Sequence, residues 1–263
     1  MDFATSADGT PIAYHRTGEG PVVVIVNGAL SRAADASPLA DALAAEGFTG
    51  VAWDRRSRGG SGDVPGSTPE REVEDLAAVI AAAGGDAAVL GHSSGAVLAL
   101  YAASLGVPVR ALFLSEPPFR FGEDEPPADL ADRLQRLVDD GDPGEAVVTF
   151  QREAVGLPDE MTDAFRASDQ FAAVAPLGPS TVYDTRLTRQ VSTPTRAMRE
   201  VGAPVTVLRG AQTFPFLVTA ADRLAGELAH AELVVVPESI MHRPDPAATA
   251  RVVRDRFPDR DSR

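Results

Sequence analysis

The pentapeptide Gly91-His92-Ser93-Ser94-Gly95 sets one hydroxyl between two glycines. It follows an apolar run at 87–90, which reads as a strand, and precedes residues 96–105, which read as a helix. A G-x-S-x-G between a strand and a helix is the setting of a nucleophile elbow. Only glycines fit beside the central residue, so the turn would lift the Ser93 hydroxyl clear of the sheet. Gly and Ser are also ordinary turn residues. The strand and helix on either side are what favour the nucleophile.

A serine hydroxyl attacks poorly at neutral pH without an adjacent base. The chain has four histidines. His15 in an N-terminal hairpin and His230 near a helix end read as solvated or packing residues. His92, inside the elbow, is expected to pack away from the hydroxyl. His242 follows the strand at 233–236 through a loop and precedes the last helix, the chain position of the base. The base needs an acid to hold its tautomer. The loop at 209–215 contains no carboxylate, and none occurs between Glu200 and Asp222. Glu116 stands directly after the apolar run 111–114, where a carboxylate would be partly buried and need a partner. Its alternative is an ion pair with an arginine such as Arg120. The reading adopted is a triad of Ser93, Glu116 and His242. An oxyanion would rest on backbone amides, each worth roughly 3 kcal/mol of barrier. One is that of Ser94. The other comes from the loop after Val22–Val26, from Gly28 or Ala29, with glycine permitting close approach. Asn27 is either a further polar contact or a turn residue.

The elements that must position these groups follow from periodicity and punctuation. Strands at 3–6 and 12–16 join at Asp8-Gly9, a hairpin signal. Val22–Val26 is a β-branched run suited to burial on both faces. Helices at 38–46 and 68–83 alternate with strands at 50–53, 87–90 and 109–114. Beyond Pro117-Pro118 the chain turns charged and helical in period, with helices expected at 129–138, 144–155 and 159–168. Strands resume at 205–208 and 233–236, with helices at 217–229 and 247–257. Such alternation implies a mostly parallel sheet covered on both faces. Ligands bind such sheets beyond the carboxyl ends of the strands. Residues 1–118 and 199–263 would form the core and 119–198 an inserted helical cap.

A chain of 263 residues can bury roughly 75% of its unfolded surface. It has no cysteine and no lysine, so all 24 basic residues are arginine. Disulfides, thiolate nucleophiles, Schiff bases and a P-loop lysine are excluded. A formal net charge of −14 makes nucleic acid and anionic membranes poor partners. No signal peptide or membrane span is legible, so the expected location is cytoplasmic. No metal-ligand spacing or dinucleotide fingerprint occurs, so no metal or cofactor is expected. A homodimer is compatible with the reading.

With its hairpin, Asn27-Gly28, the stretch Asp54–Gly62, the elbow and Met241-His242 in this order, the chain resembles the α/β-hydrolase superfamily along nearly its whole length. The resemblance implies the α/β-hydrolase fold, a Ser–acid–His triad, and a structural role for the arginine-rich 54–62 loop. Many members have His where Asn27 stands. A triad Glu after the strand that follows the nucleophile helix is similar to one type of haloalkane dehalogenase and to zearalenone-type lactonases. Those lactonases also share Ser93-Ser94-Gly95-Ala96, but carry a cap tryptophan, and the single tryptophan here is Trp53. A serine nucleophile argues against dehalogenase and epoxide-hydrolase chemistry. The resulting expectation is a serine hydrolase acting on a small-molecule ester or lactone. Phe150, Phe165 and Tyr183 of the cap would contact substrate or form ordinary cap core. The same triad could serve C–C hydrolysis, perhydrolysis or a natural-product cyclisation. A non-catalytic small-molecule binding protein on this fold is the remaining alternative.

Overall fold

The computed structural model describes residues 1–257. The expected core segment's final residues, 258–263, lie outside the described residues. Strands β1 (Asp2–Thr5), β2 (Pro11–Thr17), β3 (Val22–Val26), β4 (Thr49–Trp53), β5 (Ala87–His92), β6 (Leu112–Ser115), β7 (Val205–Gln212) and β8 (Ala231–Ile240) form one sheet. Its order is β1-β2-β4-β3-β5-β6-β7-β8, antiparallel from β1 to β4 and parallel from there on. This is the α/β-hydrolase fold.

Helices α1 (Ser37–Ala45), α2 (Pro69–Ala82) and α3 (Ser94–Ser104) fill the crossovers of the first half. Between β6 and β7 run α4 (Leu130–Asp139), α5 (Pro143–Phe150), α6 (Asp159–Arg166), α7 (Phe171–Val174), α8 (Gly178–Gln190) and α9 (Arg196–Arg199). Helices α10 (Pro215–Glu227) and α11 (Pro246–Arg256) complete the second half. Side chains alternate across a strand, so β3 feeds two cores. Val23 and Ile25 pack with Leu39 and Leu43 of α1 and Val253 of α11. Val24 and Val26 pack with Leu76 and Ile80 of α2, Leu98 of α3 and Leu224 of α10. A strand apolar on both faces is what a sheet covered on both sides requires.

Several boundaries differ from the sequence reading. Helix α8 was not expected at all. The helix expected at 144–155 is α5 followed by a π-helical stretch, Gln151–Val155, that ends at Gly156 with φ +82°. Strands β7 and β8 outrun their expected lengths because they continue to pair past the end of β6, through an irregularity between Gly210 and Gln212. Residues 109–111 are not strand. Among the described residues no helix is long and apolar enough to cross a membrane.

Candidate active site

The turn from β5 to α3 is sharply constrained. Ser93 sits at φ +54° and ψ −127°, a left-handed backbone that a non-glycine residue adopts at a cost of about 1–3 kcal/mol. A Cβ on Gly91 would lie 2.5 Å from the Ala96 Cα, and one on Gly95 would lie 2.6 Å from the Asn27 carbonyl oxygen. Both positions therefore exclude side chains. Gly28 is equally confined, since a Cβ there would come within 2.9 Å of the Ser93 Cβ. The loop after β3 thus lies directly against the elbow.

Glu116 follows β6 at φ +47°, and His242 follows β8 at φ +60°. Three left-handed non-glycine residues, Ser93, Glu116 and His242, end three strands along one edge of the sheet. Glu116 is 3% exposed. Its Oε1 accepts from the Gly210 amide at 2.8 Å, and its Oε2 accepts from the Thr213 hydroxyl at 3.0 Å. The His242 Nδ1 lies 2.6 Å from the same Oε2, so Nδ1 carries the proton and donates it. The carboxylate-free loop at 209–215 supplies donors to Glu116 instead of an acid. Burial pushes the Glu116 carboxyl up, but the His242, Gly210 and Thr213 hydrogen bonds outweigh it and hold the group below its ordinary value. Arg120 is not its partner.

Ser93, Ser94, His242, Gly28, Ala29 and Phe150 line one cavity of about 240 Å³. Glu116 stands behind His242. Other expected contacts fall elsewhere. The Asn27 side chain donates to the Arg32 carbonyl at 2.7 Å and does not line the cavity. Phe165 packs edge-on against Phe171, centroids 5.8 Å apart, and does not line the cavity. The Tyr183 hydroxyl donates to the Asp63 carboxylate at 2.9 Å. On α8 it is Asp184, Thr185, Thr188 and Arg189 that face the cavity. This is one helical stripe, and Tyr183 lies beside it. His92 also departs from expectation. Its ring lies 4.6 Å from the His242 ring, tilted by 40°, and its Nε2 is buried without a partner. Burial, with repulsion from His242, lowers its pKa to about 3, so this imidazole is neutral.

The arginine-rich loop forms a second buried cluster. The Asp184 carboxylate accepts from Arg55 at 2.8 Å, Arg58 at 2.7 Å and the Ser94 hydroxyl at 2.7 Å. Burial pushes Asp184 up, but the two guanidinium charges reverse this and keep it ionised. Arg58 also donates to the Gly28 carbonyl at 2.7 Å, and Arg55 to that of Asn27 at 3.3 Å. In a trans peptide C=O and N–H point oppositely. Holding the Gly28 oxygen therefore fixes the direction of the Ala29 N–H. Arg55 donates through two nitrogens to Glu72 as well. Sequence reasoning found none of this cluster's partners. Among the described residues no group of three His, Asp or Glu side chains is placed to hold a metal ion.

A sequence model of the alpha/beta hydrolase family matches residues 23–252. A solved alpha/beta hydrolase from Sphaerobacter thermophilus is 38% identical, covers 98% of this chain and 100% of its own, and superposes with a TM-score of 0.90. The chain belongs to the alpha/beta hydrolase family. More distant likenesses share the fold. An enol-lactonase from Burkholderia xenovorans is 19% identical, with 97% and 98% coverage and a TM-score of 0.69. A thermophilic esterase from Thermogutta terrifontis, solved with malate bound, is 21% identical, with 97% and 95% coverage and a TM-score of 0.72. No match was found among curated proteins.

Proposed function

We propose that this protein is a serine hydrolase of carboxylic esters or lactones, with Ser93 as nucleophile, His242 as base and Glu116 as the acid that orients it. The observation that carries the reading is the 2.6 Å Glu116–His242 pair beside a cavity that Ser93 also lines. With Nδ1 donating to Glu116, the imidazole presents an unprotonated Nε2. That nitrogen takes the Ser93 proton as Oγ adds to the substrate carbonyl carbon. The tetrahedral oxyanion rests on the Ser94 amide and on that of Gly28 or Ala29, and the Arg58 contact at Gly28 favours Ala29. His242 then gives its proton to the departing alkoxide, leaving an acyl ester on Ser93. Water, deprotonated by the same Nε2, attacks that ester and restores the serine. The link from Ser93 to His242 closes with substrate, as catalytic hydrogen bonds tighten in the Michaelis complex. The segment 119–198 serves as the cap, and Phe150 supplies apolar surface to the acyl group. At about 240 Å³ the cavity lies below the roughly 300–1,000 Å³ usual for ligand pockets, which suits a small substrate.

A fluorophosphonate probe tests the nucleophile. Labelling of the native protein and none of Ser93→Ala is the expected result. Labelling of neither would favour a binding protein. An ester and lactone panel read by mass spectrometry, with Ser93→Ala as blank, then identifies the bond that is cleaved.

A further inference from the structure

Two arginines line the cavity and two more lie behind its wall. Arg55 and Arg58 are both paired with Asp184, and Arg55 with Glu72 as well. Arg120 and Arg189 line the cavity itself, and among the described residues neither forms an ion pair. In a chain of net charge −14, most other arginines among the described residues sit against a carboxylate. Arg120 is partly buried beyond β6, in the stretch that enters the helical segment. Its guanidinium lies 4.4 Å over the Phe216 ring and donates once, from Nη2 to the Ala154 carbonyl at 3.1 Å. A guanidinium has five N–H donors in a rigid fork. Most of them are uncommitted here, and stacking on Phe216, itself a cavity residue, holds the fork in place. Burial pushes Arg120 below its ordinary value, and Glu125 and Asp124 offset this only in part. Both are exposed, Glu125 at the cavity wall, and neither makes an ion pair with it. The unbonded N–H groups of this partly buried cation border the cavity, where a ligand anion would complete them.

We propose that Arg120, with Arg189 at the mouth, forms a carboxylate-binding subsite, and that the substrate is a short ester or lactone carrying a free carboxylate. The proposal rests on the serine hydrolase reading for its chemistry, but the subsite can be read by binding alone. A carboxylate seated on the Arg120 fork would accept two parallel N–H bonds. The rest of the acyl chain would lie on apolar surface such as Phe150 and Leu157. Arg189, being exposed, contributes less than Arg120.

The test compares kcat/KM for monomethyl glutarate and methyl hexanoate, which differ chiefly in the terminal charge. The native protein is expected to favour the half ester. Arg120→Met should lower the ratio of the two values by about 10- to 100-fold, the size of a lost charge-assisted pair. Arg120→Lys should lower it less, and Arg189→Gln least. In parallel, calorimetry measures glutarate binding to the native protein, to Ser93→Ala and to Arg120→Met. Binding that survives Ser93→Ala and weakens at least about tenfold in Arg120→Met supports the subsite even if neither ester is hydrolysed, in which case only the hydrolase reading falls. A ratio unchanged in both Arg120 variants, or glutarate binding that is absent or indifferent to Arg120→Met, overturns the proposal. Thermal melts confirm that each variant is folded.

Discussion

Two buried carboxylates flank the elbow, one on each side. Glu116 accepts from a backbone amide, a hydroxyl and His242. Asp184 accepts from a hydroxyl and two arginines. Their hydrogen-bond inventories are alike, and the difference lies in the partner. An imidazole gains and loses its charge near neutral pH, whereas a guanidinium keeps its charge throughout. Glu116 therefore sits in a pair whose charge can change during a reaction. Asp184 sits in a cluster whose charge cannot, and which instead ties helix α8 to the Ser94 hydroxyl and the Gly28 carbonyl. Under the proposed function the same residue chemistry would serve proton transfer in one place and alignment in the other.

Glu116→Gln should break the first pair most severely. The amide presents an N–H to Nδ1, so His242 is driven to the tautomer with Nε2 protonated and cannot accept the Ser93 proton. We expect kcat to fall by on the order of 10³ or more while the protein remains folded. Steady-state rates and a thermal melt on the same sample check both halves, and near-native turnover would remove Glu116 from the triad.

Asp184→Ala should show the reverse profile. It leaves Arg55 and Arg58 buried against each other, a loss of about 3–5 kcal/mol of stability. For a chain of this size that is a fall in Tm on the order of 10 °C. Adding Arg58→Met to Asp184→Ala should recover part of the loss, because the unpaired charge goes with it. If Asp184→Ala instead abolished turnover without moving the melt, the distinction between the two carboxylates would collapse. Ser94→Ala is the milder probe of the same cluster. It deletes one donor to Asp184, and about 1 kcal/mol is expected in urea unfolding.

The two carboxylates were not equally legible in the sequence. Glu116 emerged by elimination, because it ends an apolar strand and the rival loop holds no acid. Asp184 could not emerge, because its helix carries no helical signature. Helix α8 reads Gly-Pro-Ser-Thr-Val-Tyr-Asp-Thr-Arg-Leu-Thr-Arg-Gln, with three β-branched threonines and an early proline. Such residues are poor helix formers. Ser180, Thr181, Asp184 and Thr185 are buried beside Val182, Tyr183 and Leu187, so the buried positions are not apolar and no amphipathic period arises. Tertiary packing, which a single sequence does not display, makes it a helix. The same blindness affected the cavity lining. Aromatic type marked Phe165 and Tyr183 as burial candidates but carried no information on which partner they would meet. The elbow, by contrast, is local. Strand, glycines and helix are contiguous, so Ser93 was readable from a dozen residues.

His92 stands between the two regimes and offers the finest test. It is a histidine kept electrically silent, with a pKa lowered to about 3 by burial and by its neighbour His242. The unfolded chain takes up a proton at this residue below its ordinary value of about 6.5, whereas the folded protein does so only near 3. Between those limits the unfolded state binds more protons, so stability is complete above about pH 6.5 and declines as pH falls toward 3. Full separation contributes up to about 1.4 kcal/mol per pH unit. His92→Phe keeps a ring against His242 and removes the titration. Its unfolding free energy should therefore fall less steeply between about pH 6.5 and pH 5 than that of the native protein, by up to one proton. The buried carboxylates titrate alike in both proteins and cancel from the difference. Coincident slopes would mean that His92 takes up its proton while folded.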